Sequence, residues 1–130
     1  MKISILNLML ILININCNFS KNPTTKDGSQ TAINLNTSQA KDIISSDSNL
    51  IILDVRTPEE YADGKIPKAI NIDVEDESFK DKMAKLNKTK SYLVYCKAGS
   101  RSADAVNIMQ GLGFTKIYNL KDGYDAWIKN

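Results

Sequence analysis

Two apolar runs restrict what this chain can fold into more than any other feature. Leu50-Ile51-Ile52-Leu53-Asp54-Val55 and Ser91-Tyr92-Leu93-Val94-Tyr95-Cys96 show almost no polar alternation, so neither reads as a strand with one wet face. Continuous runs of this length fit strands buried on both sides, as in a parallel sheet covered by helices. Helix signals fill the gaps between them. Thr37 is a candidate N-cap ahead of Gln39, Ala40, Ile43 and Ile44. Thr57-Pro58-Glu59-Glu60 combines a cap, a proline at the first helical position and a glutamate three residues after the cap, and Gly64 stops that helix. Ala69 to Val74 reads as a short strand, and Ser78 to Leu86 sets Phe79, Met83 and Leu86 on one helix face. A helix from Ser102 to Leu112 turns Ala105, Val106, Ile108 and Met109 inward and ends at Gly111 or Gly113. Lys116 to Leu120 is a last strand and Tyr124 to Ile128 a last helical turn or two. This alternation predicts an α/β fold with a parallel sheet and helices on both faces.

At 130 residues the chain has room for one such domain. Its amino terminus reads differently. Met1-Lys2 precedes an apolar stretch from Ile3 to Ile15, which is short for a membrane span but suits the core of a secretory signal. Residues 1–17 are therefore expected to be a signal peptide or lipoprotein-type signal, with Cys17 a candidate lipidation site. Cleavage nearby or retention as an uncleaved anchor are the alternatives. Residues 18–36, rich in Asn, Ser, Thr and Lys, are expected to be a flexible tether, and 37–130 the folded domain. The expected location is extracytoplasmic, in a bacterial periplasm or envelope, with a membrane tether through the amino terminus if Cys17 is lipidated.

The chain contains no histidine. That removes Ser/His/Asp and Cys/His catalysis, together with the commonest nitrogen ligand for transition metals. Its two cysteines, Cys17 and Cys96, are too few for a thiolate metal site. No metal or organic cofactor is expected. A formal charge of +2, with lysines scattered along the chain, argues against nucleic acid as a partner.

Cys96 ends a predicted buried strand immediately before a predicted helix, and ligands of open α/β sheets bind beyond such strand ends. Between strand and helix lies Lys97-Ala98-Gly99-Ser100-Arg101. Gly99 can adopt backbone angles closed to other residues and curl the loop so that successive N–H groups point inward. The following helix offers its unpaired N–H groups to the same point. Lys97 and Arg101 add positive charge. Together these would activate a thiolate without an imidazole and bind an incoming anion.

The chain resembles a single-domain rhodanese. Leu53-Asp54-Val55-Arg56-Thr57-Pro58-Glu59-Glu60-Tyr61 is similar to the family's upstream motif, and Ile66-Pro67-Lys68-Ala69-Ile70-Asn71-Ile72 to the segment after it. Val94 through Ser102 is similar to the active-site loop, and Gly113-Phe114, Tyr118-Asn119-Leu120, Gly123 and Ala126-Trp127 to the carboxyl-terminal signature. The resemblance implies a doubly wound, five-stranded parallel sheet and a sulfurtransferase in which Cys96 forms a persulfide. It implies Lys97, Ala98, Gly99, Ser100, Arg101 and Ser102 as the substrate-binding loop, with Asp54 and Arg56 supporting it. Arg56 and Glu60, four residues apart, could instead simply pair with each other. The family's usual His-Ile-Pro-Gly-Ala stretch reads Lys65-Ile66-Pro67-Lys68-Ala69 here, a change expected to affect local geometry or the docking of an anionic partner.

The expected partners are a small anionic sulfur donor such as thiosulfate and a thiol or cyanide-like acceptor, and the expected state is a monomer. Two other functions resemble this one. Cell-cycle dual-specificity phosphatases, and arsenate reductases, are the first, but those phosphatases place one residue more between cysteine and arginine than the four found here. A non-catalytic rhodanese-like binding module is the second, although inactive versions generally lack the loop cysteine.

Overall fold

The structure, a computed structural model, describes residues 32–130. The expected signal and its Cys17 lie outside the described residues. Five strands and five helices alternate along the chain. They are β1 (Ile33–Leu35), α1 (Thr37–Ser46), β2 (Ile51–Asp54), α2 (Pro58–Asp63), β3 (Ile70–Asn71), α3 (Phe79–Ala84), β4 (Ser91–Tyr95), α4 (Ser100–Gly111), β5 (Lys116–Leu120) and α5 (Gly123–Trp127). All strands are parallel, in the order β1-β5-β4-β2-β3. The doubly wound five-stranded sheet implied by the sequence is the observed one.

The two apolar runs are β2 and β4, paired side by side from Ile51 opposite Tyr92 to Asp54 opposite Tyr95. Alternate residues along them feed two separate cores. Leu53, Val55, Tyr92, Val94 and Cys96 point to the face covered by α3 and α4, where they meet Phe79, Met83, Ala105, Val106 and Met109. Ile52, Leu93 and Tyr95 point to the other face, with Ala40 of α1 and, at its margin, Tyr61 of α2 and Trp127 of α5. Both faces being covered explains why neither strand alternates in sequence. Ile108, expected inward with Met109, is only partly buried against the first core.

Several boundaries differ from the sequence reading. Residues 33–35, assigned to the tether, form an edge strand that extends the sheet beside β5. The cap of α1 is Asn36 rather than Thr37: its side chain accepts from the Gln39 amide, and the Gln39 side chain accepts from the Asn36 amide, each at 2.9 Å. The cap of α2 is Thr57, as expected, with Glu60 completing the reciprocal pair. The strand expected over Ala69–Val74 shrinks to Ile70–Asn71; after it, the Ile72 amide bonds the carbonyl of Asp54, the last residue of β2, and the Val74 amide that of Val55 just beyond.

Lys68 holds a left-handed backbone conformation, φ +68°, the only such residue other than glycine among those described. Register places it below Ile70, which pairs with Leu53, at the amino-terminal end of the sheet. There it lines a small cavity with Ile44, Asp47, Ser48, Leu50 and Ile52. The lysine therefore sits at the opposite end of the strands from Cys96, and the expectation that it steers an anionic partner to the site is corrected. Its left-handed geometry costs about 1–2 kcal/mol with a Cβ present, against about 0.5–1 kcal/mol of extra chain entropy lost by glycine. Lys68→Gly should therefore raise the thermal midpoint of the domain by a few degrees (about 4–8 °C per kcal/mol for a domain of this size). A calorimetric scan showing a lower midpoint would contradict this account of the turn.

Candidate active site

Cys96 follows the last residue of β4, at the carboxyl end of the central strand. Connections from β2 and β4 leave in opposite directions, to β3 on one side and β5 on the other. The crevice between these two strand ends is the switch point at which open parallel sheets bind ligands. Cys96 stands beside it.

The loop after Cys96 is shorter than its sequence suggested, since α4 begins at Ser100. Only Lys97, Ala98 and Gly99 are non-helical, while Ser100 and Arg101 form the first turn of the helix. Gly99 occupies the N-cap with φ +112°, and its amide donates to Cys96 Sγ at 3.0 Å. Ser102 is fully buried, with Oγ 3.5 Å from Sγ and 3.0 Å from the Gly99 carbonyl, to which it donates. Burial opposes ionisation of the Cys96 thiol. The Ser102 hydroxyl and the amides of Ser102, Gly99 and Ala98 outweigh it, and the net shift is below the ordinary thiol value. Lys97 and Ala98 are exposed, and Ser100 is exposed on the first turn of α4.

The loop is clamped from the carboxyl-terminal side. The amides of Tyr124 and Asp125 donate to the carbonyls of Cys96 and Lys97 at 2.8 and 3.0 Å. Gly99 and Gly123 make this clamp feasible. A Cβ on Gly99 would lie 2.2 Å from the Lys121 carbonyl oxygen, and one on Gly123, at φ +68°, 2.3 Å from that of Lys97. Both positions exclude a side chain on space and on backbone angle.

Asp54 and Arg56 come together with each other rather than with the cysteine. The Arg56 guanidinium donates to Asp54 from Nε and, at 2.6 Å, from Nη2, and the Arg56 amide donates to the same carboxylate at 2.9 Å. Tyr95 donates its hydroxyl to Asp54 at 2.7 Å and accepts from the Ile66 amide at 3.1 Å. Arg56 Nη2 also bonds the Gly64 carbonyl, and the Tyr124 ring lies 4.4 Å from the guanidinium carbon. Burial pulls against the Arg56 charge, but Asp54 more than offsets it. Burial and the Asp54 bond both push the Tyr95 hydroxyl upward. Among the described residues, no hydrogen bond or ion pair joins Asp54 or Arg56 to Cys96.

The expected Arg56–Glu60 pair does not form. Arg56 precedes the N-cap and so lies off the helix, where the four-residue spacing carries no meaning. Glu60 instead takes Arg101 in a two-point pair, Nη1 to Oε1 at 2.7 Å and Nη2 to Oε2 at 3.0 Å. Sequence reasoning missed this contact, which spans 41 residues and depends on α2 and α4 meeting at the same sheet end. Lys65, next to Gly64 at the Arg56 network, holds its ammonium 4.1 Å over the Tyr61 ring.

No group of three or more acidic, cysteine or histidine side chains that could hold a metal occurs among the described residues. Cys96 itself is 1 % exposed. The arrangement is therefore a buried thiol beside a parallel-sheet switch point, held under a backbone amide.

That combination defines a class: parallel α/β domains that carry a cysteine at the end of a central strand, ahead of a helix-capping loop. Residues 36–130 match the rhodanese-like domain, and the chain belongs to that family. It is 37% identical over 93 residues, 72% of this chain and 87% of the other, to the putative sulfurtransferase YtwF of Bacillus subtilis. A sulfurtransferase of Allochromatium vinosum is 29% identical over 82 residues, covering 63% of this chain and 75% of that protein. The crystal structure of a rhodanese-related protein from Thermoplasma volcanium superimposes with a TM-score of 0.65 at 32% identity, over 75% of this chain and 91% of that one.

Two consequences can be measured. The rate of Cys96 alkylation against pH should have its midpoint below that of a free cysteine, and Ser102→Ala should move the midpoint upward. An unmoved midpoint would show that the hydroxyl plays no part. The second concerns acid stability. The Arg101 hydrogen bonds lower Glu60 from 4.5 to about 2, so the pair's contribution is fully present above pH 4.5 and is lost as pH falls through about 2. Chemical unfolding in that window should show a shallower pH slope for Glu60→Gln than for the native chain.

Proposed function

We propose that the domain transfers sulfane sulfur, from a donor such as thiosulfate to a thiophilic acceptor, through a persulfide on Cys96. The observation that carries this reading is the amide contact from Gly99 to the buried Cys96 Sγ at the mouth of α4. The thiolate attacks the outer sulfur of the donor, forming the Sγ–S bond as the donor's S–S bond breaks. With thiosulfate, sulfite leaves with the electron pair. A thiolate acceptor then takes the outer sulfur and returns Cys96 to the thiolate. Charge is conserved in both steps, so no histidine is required as a proton shuttle.

The loop amides have two successive tasks. They stabilise the thiolate before transfer, and afterwards they face the persulfide that replaces it. Ser102 has one hydroxyl proton. In the structure it goes to the Gly99 carbonyl, so donation to the ionised sulfur requires the hydroxyl to turn. Relatives named as sulfurtransferases that align over most of their own length support this reading.

Incubating the domain with thiosulfate, removing the reagent and measuring intact mass tests the proposal. One sulfur should be gained, and Cys96→Ser should abolish the gain. Ping-pong kinetics with cyanide or a thiol as acceptor should accompany it. Absence of sulfur uptake together with hydrolysis of an aryl phosphate would replace this function with a phosphatase, and absence of both would leave a binding module.

A further inference from the structure

The cations nearest the Cys96 loop are already spoken for. Arg101, in the first turn behind the nucleophile, has both terminal nitrogens bonded to Glu60. The ionised Cys96 sulfur and, after it, Glu75, exposed on the segment after β3, add weaker negative fields at the same guanidinium. Arg56 is bonded to Asp54 and covered by the Tyr124 ring. Against these two guanidinium charges stand three carboxylates. Lys97, on the loop itself, is exposed and without an ion pair among the described residues.

Such balance matters because possible donors differ in charge. Thiosulfate is a dianion, and attack on it by a thiolate gathers three negative charges at one point. The cost of removing an ion from water rises with the square of its charge, and only nearby uncompensated cations or donors offset it. A persulfide R–S–SH reacts with less charge. The thiolate bonds to the outer sulfur, the donor's S–S bond breaks, and the thiolate RS⁻ leaves, so Cys96 becomes Cys–S–SH and one negative charge is carried throughout. The loop amides can serve that single charge.

We propose that Glu60 is a positioning residue that sets donor choice by holding Arg101, so that the site favours a neutral small-molecule persulfide, R–S–SH, over the thiosulfate dianion. The proposal rests on Cys96 carrying sulfur. Glu60 acts through Arg101, not by touching the donor.

The test is the rate of sulfur loading on Cys96, followed by intact mass at varied concentrations of thiosulfate or of 2-hydroxyethyl persulfide. The native domain should load from the persulfide with an efficiency at least about tenfold higher than from thiosulfate. Glu60→Gln keeps a side chain able to complete the Thr57 cap but removes the charge. It should raise loading efficiency from thiosulfate by about fivefold or more, through a lower half-saturating concentration and not a faster maximal rate. Glu75→Gln, on an exposed loop, should act in the same direction by a smaller factor, so the proposal survives a folding defect at position 60. Native preference for thiosulfate, or an unchanged half-saturating concentration in both variants, would overturn it while leaving sulfur transfer intact. Failure of both donors to load the native cysteine would overturn this proposal and sulfur transfer together.

Discussion

The buried pair of Asp54 and Arg56 supports the whole carboxyl end of the sheet. Its carboxylate receives the backbone amide and guanidinium of Arg56 together with the Tyr95 hydroxyl, so β2 and β4 are joined beyond their own ladder. The same guanidinium holds the Gly64 carbonyl, and Tyr95 holds the Ile66 amide, which fixes the turn from α2 into β3. Tyr124 stacks on Arg56 from α5 and, through its own amide, holds the carbonyl of Cys96. The pair thus reaches Cys96 in two steps without touching it. Removing one member of such a buried pair costs about 3–5 kcal/mol, because the other charge is left unpaired. A charged cluster whose loss would disorder the site need take no part in the chemistry.

How much of this was legible in the sequence depends on the range of each interaction. The apolar runs of β2 and β4, the Thr57 cap and Gly99 at the mouth of α4 are local, and their residues declare them. The Asn36 cap was harder to read because Asn36 and Thr37 are both good capping residues, and the choice falls to whichever has its partner three residues on; Gln39 is three after Asn36. The pairing of Glu60 with Arg101 and the stacking of Tyr124 on Arg56 were not legible. They depend on strand order, which brings α2, α4 and α5 to one end of the sheet, and no periodicity in a single segment encodes that.

The same topology explains a division of labour that the upstream motif conceals. Residues 54, 55 and 56 are consecutive, yet Val55 joins the core beneath α3 and α4 while Asp54 bonds Tyr95, whose side chain packs on the opposite face. Cys96 belongs to the Val55 face. The motif's charged residues therefore act as a foundation on one side of the sheet, and the Cys96 sulfur is mounted on the other.

Without histidine, a thiolate at Cys96 has to be stabilised by groups that do not titrate. Backbone amides suit this because they stay donors at every pH, and here their positions follow from Gly99 at φ +112° and from the clamp at Tyr124 and Asp125. Their weakness is that a few partial charges compensate one negative charge well and several poorly. Formal cations would extend that range, but Glu60 and Asp54 hold the two guanidinium groups. A geometry that serves a thiolate is thus also one that limits how much further charge a reactant can bring, and under the proposed sulfur transfer, activation of the sulfur and selection of its donor would be two results of the same electrostatics.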